Sequence, residues 1–512
     1  MLARPVVIVA AITVLASLAS GCGSAPSASP STGEYPVRTA GAEGDAFAMN
    51  ARLGRGINMG NMFEAPSEHA WGNPFRHEYF RMIADLGFDH VRIPVRWEPA
   101  ARSSPHPPYG IEPRFLERIR GVVDDALDNG LLVIINMHHH DALLADPHRE
   151  RERFLSQWRQ IAEYFRKYPP ELLFEVLNEP HGELTPDLWN EFFSDALREI
   201  RRTNPDRFVL VGTAEWGGLS GVPHLVLPAD DRLILTVHYY NPFSFTHQGA
   251  SWVGADASAW LGTEWYDTQA ERESMRNEFR MTRAFAERNS IPVHVGEFGA
   301  YGKADLQSRV RWTRFLARLF EEYGWSWAYW EFSAGFGIYD PARGAFRDAL
   351  VNALLHDELS PARPVSTTAV YASDFSHDTD GWSLATHGAA SARLTRRDRE
   401  LTVTIDRTGT QAWNVQLTRG GIPVERQGLY RMTFTATTGV TRTATVYVGR
   451  ARAPWDSYSG YRSVTLAEGT ERYDLTFTMG SATDEHARLV FDLGDSTGAI
   501  AITDVTIERV TH

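Results

Sequence analysis

Eight short apolar runs recur along the first two thirds of the chain, at residues 53–59, 90–95, 131–137, 172–177, 208–213, 233–239, 292–296 and 326–331. Longer stretches with apolar residues at helical spacing lie between them. A short, continuously apolar run is how a strand reads when both of its faces are buried, as in a parallel sheet covered by crossover helices. Eight such units over roughly 300 residues fit a (β/α)8 barrel, the TIM barrel, so the expected class is α/β. Residues 113–129 illustrate a linking helix: Phe115, Leu116, Ile119, Val122, Val123 and Leu127 fall on one face, and Asn129-Gly130 ends it.

With 512 residues the chain has material for more than one core. The barrel is expected over residues 46–357. Ser360-Pro361-Ala362-Arg363-Pro364 marks a linker, taken as 358–370. Beyond it the period becomes strictly alternating, as at 401–405, 430–434, 444–448 and 501–507. Alternation means half-buried strands, so residues 371–512 are expected to form a smaller antiparallel β-sandwich. At the other end, residues 6–18 are apolar, too few to span a bilayer, and Ala19-Ser20-Gly21 leads into Cys22. Residues 1–22 thus resemble a bacterial lipoprotein signal, with Cys22 as lipid anchor, followed by a Ser-, Pro-, Gly- and Ala-rich tether over 23–45. Cys22 is the single cysteine, so no internal disulfide forms. The net charge of −13 argues against nucleic acid or anionic membrane surfaces as targets; the only membrane link expected is the lipid anchor. A neutral polymer suits this acidic, Trp-rich chain better, and a monomer is expected.

In a barrel of this kind the reacting groups stand at the C-terminal ends of the strands. Glu179 in LLFEVLNEP and Glu297 in IPVHVGEFG each end an apolar run. Two carboxylates facing one another across a sugar are what glycosidic bond cleavage needs: one protonates the leaving oxygen, the other attacks or activates water. Their environments must differ, because one acts as an acid and the other as an anion. Arg92, ending the second run, and Tyr240 can supply that difference by favouring the ionised form of Glu297. The triplet His138-His139-His140 does not suit a metal, since successive strand residues point to opposite faces; no metal or other cofactor is expected.

The motifs GRGINMGNMFEAP, HVRIPVRW, IINMHHH, FEVLNEPHG, GTAEWGG, HYYNPFSFTHQGASW, VGEFGAY and WSWAYWEF occur in that order. Together they resemble glycoside hydrolase family 5, the retaining cellulases and mannanases, over about residues 47–355. The fullest likeness is to a bacterial subfamily that cleaves both β-1,4-glucan and β-1,4-mannan. The resemblance implies that Glu179 is the general acid and base, Glu297 the nucleophile, and Asn178 the partner of the sugar 2-hydroxyl. It implies that Arg92, His238 and Tyr240 support them, that His138 and His238 line the cleaved sugar's subsite, and that Trp330 is its apolar floor. Asn61, Glu64, His139 and Trp252 would bind further sugar units, while Glu331 is expected to face away from the cleft. The activity implied is endo-β-1,4-glucanase on a β-linked polysaccharide by double displacement, with mannan, xyloglucan or mixed-linkage glucan as alternatives. A transglycosylase and an idle, glycan-binding surface lipoprotein are the rival readings.

The C-terminal pattern FSHDTDGWS, AWNVQL, LYRMTFTA, PWDSYSGY, RLVFDLG and ITDVTI resembles sugar-binding sandwiches appended to such enzymes. Trp413, Gln416, Trp455 and Tyr458 are its candidate contacts, although Trp382 and Trp413 suit a place between the sheets as well. Asp378, Asp492 and Asp504 could hold a structural Ca2+, but their spacing is not diagnostic.

Overall fold

The computed structural model describes residues 45–511, so the expected signal, most of the tether and Cys22 lie outside the described residues. All eight apolar runs form parallel strands: β1 (Arg55–Asn58), β2 (His90–Ile93), β3 (Leu132–Asn136), β4 (Leu172–Glu175), β5 (Val209–Val211), β6 (Leu233–Tyr239), β7 (Val293–Phe298) and β8 (Ser326–Tyr329). They close into a barrel when β8 pairs with β1, Ile57 lying against Tyr329. The helix Pro113–Asp128 buries Leu116, Ile119, Val122, Val123 and Ala126 against it, the face its spacing implies.

Two boundaries move. Leu53, read as the start of the first strand, ends a helix Asp45–Leu53 instead. Met49 and Leu53, one helical turn apart, plug the strands' N-terminal ends against Leu132, Ile134 and Leu173. The strand Ser366–Ser373 begins inside the stretch read as linker, because it pairs with Gly498–Thr511 from Ser366 onward. Among the described residues no helix is long and apolar enough to cross a membrane.

The C-terminal part is a two-sheet antiparallel sandwich. One sheet has six strands; the other has five, in the order Trp382–Thr386, Val415–Val424, Asp484–Asp492, Arg442–Gly449 and Arg462–Leu466. Its core includes Trp382, Phe434, Val446, Leu489 and Phe491. The sandwich is docked on the barrel. Arg462 Nη1 meets Glu278 Oε1 at 3.0 Å with both side chains about nine-tenths buried, and Arg280 meets Glu471 at 2.8 Å. Gly480 lies so close to Trp260 that a Cβ there would stand 2.9 Å from its ring. The connecting segment is pinned as well: Arg272 donates to the Ser360 carbonyl at 2.8 Å, and the Arg363 amide donates to the Asp267 carbonyl at 2.8 Å.

Candidate active site

Parallel strands deliver one residue after another to the same end of the barrel, and register decides which of them meet. Asn58 pairs with Arg92 across β1 and β2. Between β6 and β7 a shift after Val237 sets His238 opposite Glu297, an irregularity of the kind that re-aims side chains beside active sites. The fully buried Arg92 becomes the hub. It makes a two-pronged pair with Glu175, at 2.6 and 2.7 Å, and donates to Glu297 Oε1 at 2.7 Å, Asn178 Oδ1 at 2.6 Å and Asn58 Oδ1 at 2.8 Å. Burial alone would ease the proton off this guanidinium, but the two carboxylates outweigh it and hold it charged.

Glu297 is held from its other side by Tyr240, whose hydroxyl donates to Oε2 at 2.8 Å. Burial, then the charges of Glu297 and Glu179, push the Tyr240 pKa well up, so it remains a donor. Glu179, half-buried, faces the nucleophile's position: one oxygen of each glutamate and one nitrogen of His238 lie within 4.8 Å of each other. His238 Nδ1 is 2.8 Å from Glu179 Oε1 and 3.7 Å from Glu297 Oε2. Burial would lower the His238 pKa; the Glu297 charge and the bond to Glu179 outweigh that and raise it. These three groups also have the chemistry of a cation site, but Arg92 already donates to Glu297, and a cation there would face the guanidinium's repulsion.

With its Oδ1 taken by Arg92, Asn178 has its amide NH2 left to offer a sugar hydroxyl. Trp330 follows β8 directly, half-buried, and stacks on His138 with ring centroids 5.6 Å apart and planes 9° from parallel. A Cβ on Gly60 would come within 3.0 Å of the indole, so glycine is what lets the loop after β1 pass beneath it. His139 lies edge-on to His138 and to Trp71, while His140 turns away and puts Nδ1 3.3 Å from Met137 Sδ. The three rings of the triplet thus serve different places. Trp252 stands on the rim, 60% exposed, its ring edge-on to Tyr301. Asn61 is half-buried, in the loop after β1 and next to Gly60. Glu64, expected to bind substrate, is corrected: it is 1% exposed, and its oxygens accept the Asn61 and Met62 amides, so it braces the loop that presents Asn61. Glu331 is also turned inward, accepting the amides of Ser333, Ala334 and Phe336.

These buried groups set a pH profile for stability. Burial lowers His90, His139, His140 and His247 to about 4, from an ordinary 6.5. Their contribution is complete above pH 6.5 and is lost as pH falls toward 4. Burial raises Glu64 to about 8 and Glu271 and Glu331 to about 7, from 4.5. Their contribution is complete below pH 4.5 and is lost as pH rises through 7 and 8. The melting temperature is therefore expected to peak near pH 6.5 and to decline toward pH 8, with Glu64→Gln flattening the alkaline decline. A melting temperature still climbing at pH 8 would contradict this assignment.

Sequence reading missed Glu175, Asn58 and Trp216. Glu175 is the one charged residue in β4, which was a usable signal for a buried partner. Trp216 is 56% exposed in the GTAEWGG loop and stacks on His181 at 4.9 Å; an aromatic among glycines after a barrel strand could have been singled out. In the sandwich, Trp382 is core as expected, but Trp413 is half-exposed and lies outside the sheets. Trp455 is exposed, Gln416 donates to Asp492 at 2.7 Å, and Tyr458 is corrected to a buried residue bonded to Asp484.

Comparison with known proteins agrees with this geometry. Residues 53–335 match the sequence family described as Cellulase (glycosyl hydrolase family 5), and residues 367–498 match one described as Carbohydrate binding domain. Endoglucanase H of Acetivibrio thermocellus is 35% identical over 325 residues, which are 62% of this chain and 34% of that protein, so the chain spans about a third of that relative. The crystal structure of endoglucanase Cel5A from Thermotoga maritima is 47% identical, with a TM-score of 0.59, covering 60% of this chain and 99% of that one. Cel5A of Thermotoga maritima in complex with mannotriose is similar at 46% identity and a TM-score of 0.59, covering 60% of this chain and 100% of that one.

Proposed function

The chain belongs to glycosyl hydrolase family 5, and from that premise we propose that it is an endo-acting β-1,4-glucanase working by double displacement. The observation that carries the reading is the approach of Glu179 and Glu297 to within 4.8 Å, beside a charged Arg92 that holds Glu297. Retaining enzymes keep their carboxyls about 5–5.5 Å apart, whereas an inverting pair needs about 6.5–9.5 Å to admit water between.

In the first step a Glu297 oxygen bonds to the anomeric carbon as the glycosidic C–O bond breaks, and Glu179 gives its proton to the departing oxygen. In the second, Glu179 takes a proton from water, the water oxygen bonds to the same carbon, and Glu297 leaves with its electron pair. Tyr240 and Arg92 offset the nucleophile's charge before it attacks and again as it departs, and Asn178 offers its NH2 to the 2-hydroxyl, a contact that strengthens as the oxocarbenium character develops. Trp330 presents an apolar face to the C–H side of the ring.

A panel of carboxymethyl-cellulose, barley β-glucan and glucomannan, read by reducing-end release, tests the substrate class. Glucan cleavage is expected, and the mannan ratio sets the breadth; a folded protein silent on all three would remove the glucanase reading. Glu179→Ala belongs in the same panel. Its loss is expected to track the leaving group, roughly 10³-fold on glucan and far less on an aryl cellobioside whose phenolate departs unprotonated. Equal losses on both substrates would mean that Glu179 is not the acid. The relative in complex with mannotriose favours including glucomannan as a second substrate. Export with a lipid anchor at Cys22 is the localisation we propose, supported by the apolar run and the small residues before Cys22.

A further inference from the structure

We propose that the sandwich supplies the far end of the leaving-group side of the catalytic cleft, so that one β-glucan chain lies on both domains at once. The inference rests on the glucanase reading above and goes beyond it. Carbohydrate binding by the sandwich alone would allow an independent module on a tether; the structure joins it to the active site.

A single cleft of about 620 Å³ runs from Glu179 past Trp216 and Trp252 to Thr443, Ser463 and Tyr461 of the sandwich. Glu179, the acid, stands in its wall. The acid stands on the side where the glycosidic oxygen departs, so this cleft receives the leaving portion of the chain.

The sandwich residues in it come from the outer face of the five-stranded sheet. In the paired strands Arg442–Gly449 and Arg462–Leu466, Ala444, Val446, Val464 and Leu466 point into the core. Alternation then turns Thr443, Thr445, Ser463 and Thr465 outward, and the pairings Thr443 with Thr465 and Thr445 with Ser463 set their hydroxyls in a band. Tyr461 extends that band. It is 63% exposed and braced edge-on by Tyr447, at 4.8 Å and 65°, which leaves it an open ring beside hydroxyl donors and acceptors. Further along the same face lie Gln416 and Asp492. An aromatic plane flanked by hydroxyl and amide groups is the surface a neutral sugar polymer needs, with apolar C–H faces on the ring and hydroxyls on the polar groups.

The docking fixes this arrangement. Arg462, next to Ser463, is paired with Glu278, and Glu278 also accepts from Asn241 Nδ2 at 2.6 Å, one residue beyond Tyr240. A buried ion pair of this kind sets registry between the parts it joins. The sheet that presents Tyr461 is thus tied to the loop that presents the nucleophile's tyrosine.

The test compares two full-length variants, Tyr461→Ala and Ser463→Arg, the second filling the groove from the sandwich side. Both are read on cellohexaose or barley β-glucan and on an aryl β-cellobioside, whose short leaving group does not reach the sandwich. The ratio of kcat/KM on the long substrate to that on the short one is expected to fall about tenfold in both variants, at unchanged melting temperature. A ratio within twofold of the wild type in both would overturn the inference. So would loss of adsorption to insoluble cellulose with soluble glucan cleaved as before, because the sandwich would then be a separate anchor. A wild-type protein inactive on both substrates would remove the glucanase reading first, and this inference with it.

Discussion

Replacing Glu297 by alanine is expected to lower kcat/KM on β-glucan by roughly 10⁵-fold, the scale seen when a covalent nucleophile is removed from an assembled site. Glu297 is the carboxylate that both Arg92 and Tyr240 address, each at hydrogen-bond distance, so no neighbouring group has the same preparation for attack. Glu179 is within reach of the same carbon, but it is paired with His238 and has no guanidinium beside it. The variant should fold and still bind oligosaccharide, because the alanine removes a charge that faces the cleft and leaves Arg92 paired with Glu175. The measurement is initial rate on barley β-glucan together with retained binding of cellohexaose by calorimetry. Residual activity within tenfold of the wild type would assign the nucleophile elsewhere.

The second large effect is on stability. Arg92→Leu is expected to destabilise the protein by about 3–5 kcal/mol, since it removes one partner of a fully buried ion pair and leaves Glu175 charged and unmatched in the barrel. Five hydrogen bonds go with it, including those that orient Asn178 and Glu297, so activity falls as well. Adding Glu175→Leu should recover part of the stability, because the isolated charge is then gone, but not the activity, because Glu297 and Asn178 still lack their donor. Urea unfolding of the wild type and the three variants, Arg92→Leu, Glu175→Leu and the pair, forms a double-mutant cycle that reads the coupling directly. A double variant no more stable than Arg92→Leu would show that the buried charge is not the source of the loss.

Some properties of the chain are displayed locally, and others only when it is folded. The barrel was legible because a strand buried on both faces must be apolar along its length, and a catalytic side chain must interrupt that apolarity where the strand reaches solvent. Glu179, Glu297 and His238 announce themselves in this way, Arg92 stands out as a charge inside a fully buried strand, and the ordered motifs around them identify the family. The alternating period after residue 371 likewise announced a sandwich, since half-buried strands leave no other local pattern.

What the chain could not display locally is which of these residues meet. Glu175 pairs with Arg92 across 83 positions, and His238 reaches Glu179 across 59, through strand registers that include an irregularity after Val237. Trp413 and Trp382 read alike in sequence, yet Trp382 opens a strand and packs between the sheets, whereas Trp413 sits in the short helical turn Ala412–Asn414 and is half-exposed. The seat of the sandwich against the cleft depends on a buried ion pair between Arg462 and Glu278, residues 184 positions apart. Local periodicity therefore determined the elements, their order and the chemistry at their ends. The partners of the nucleophile, the brace under Asn61 and the reach of the cleft onto the second domain were decided by tertiary structure, because they arise from registry and packing between segments whose separation in sequence carries no signal of their contact.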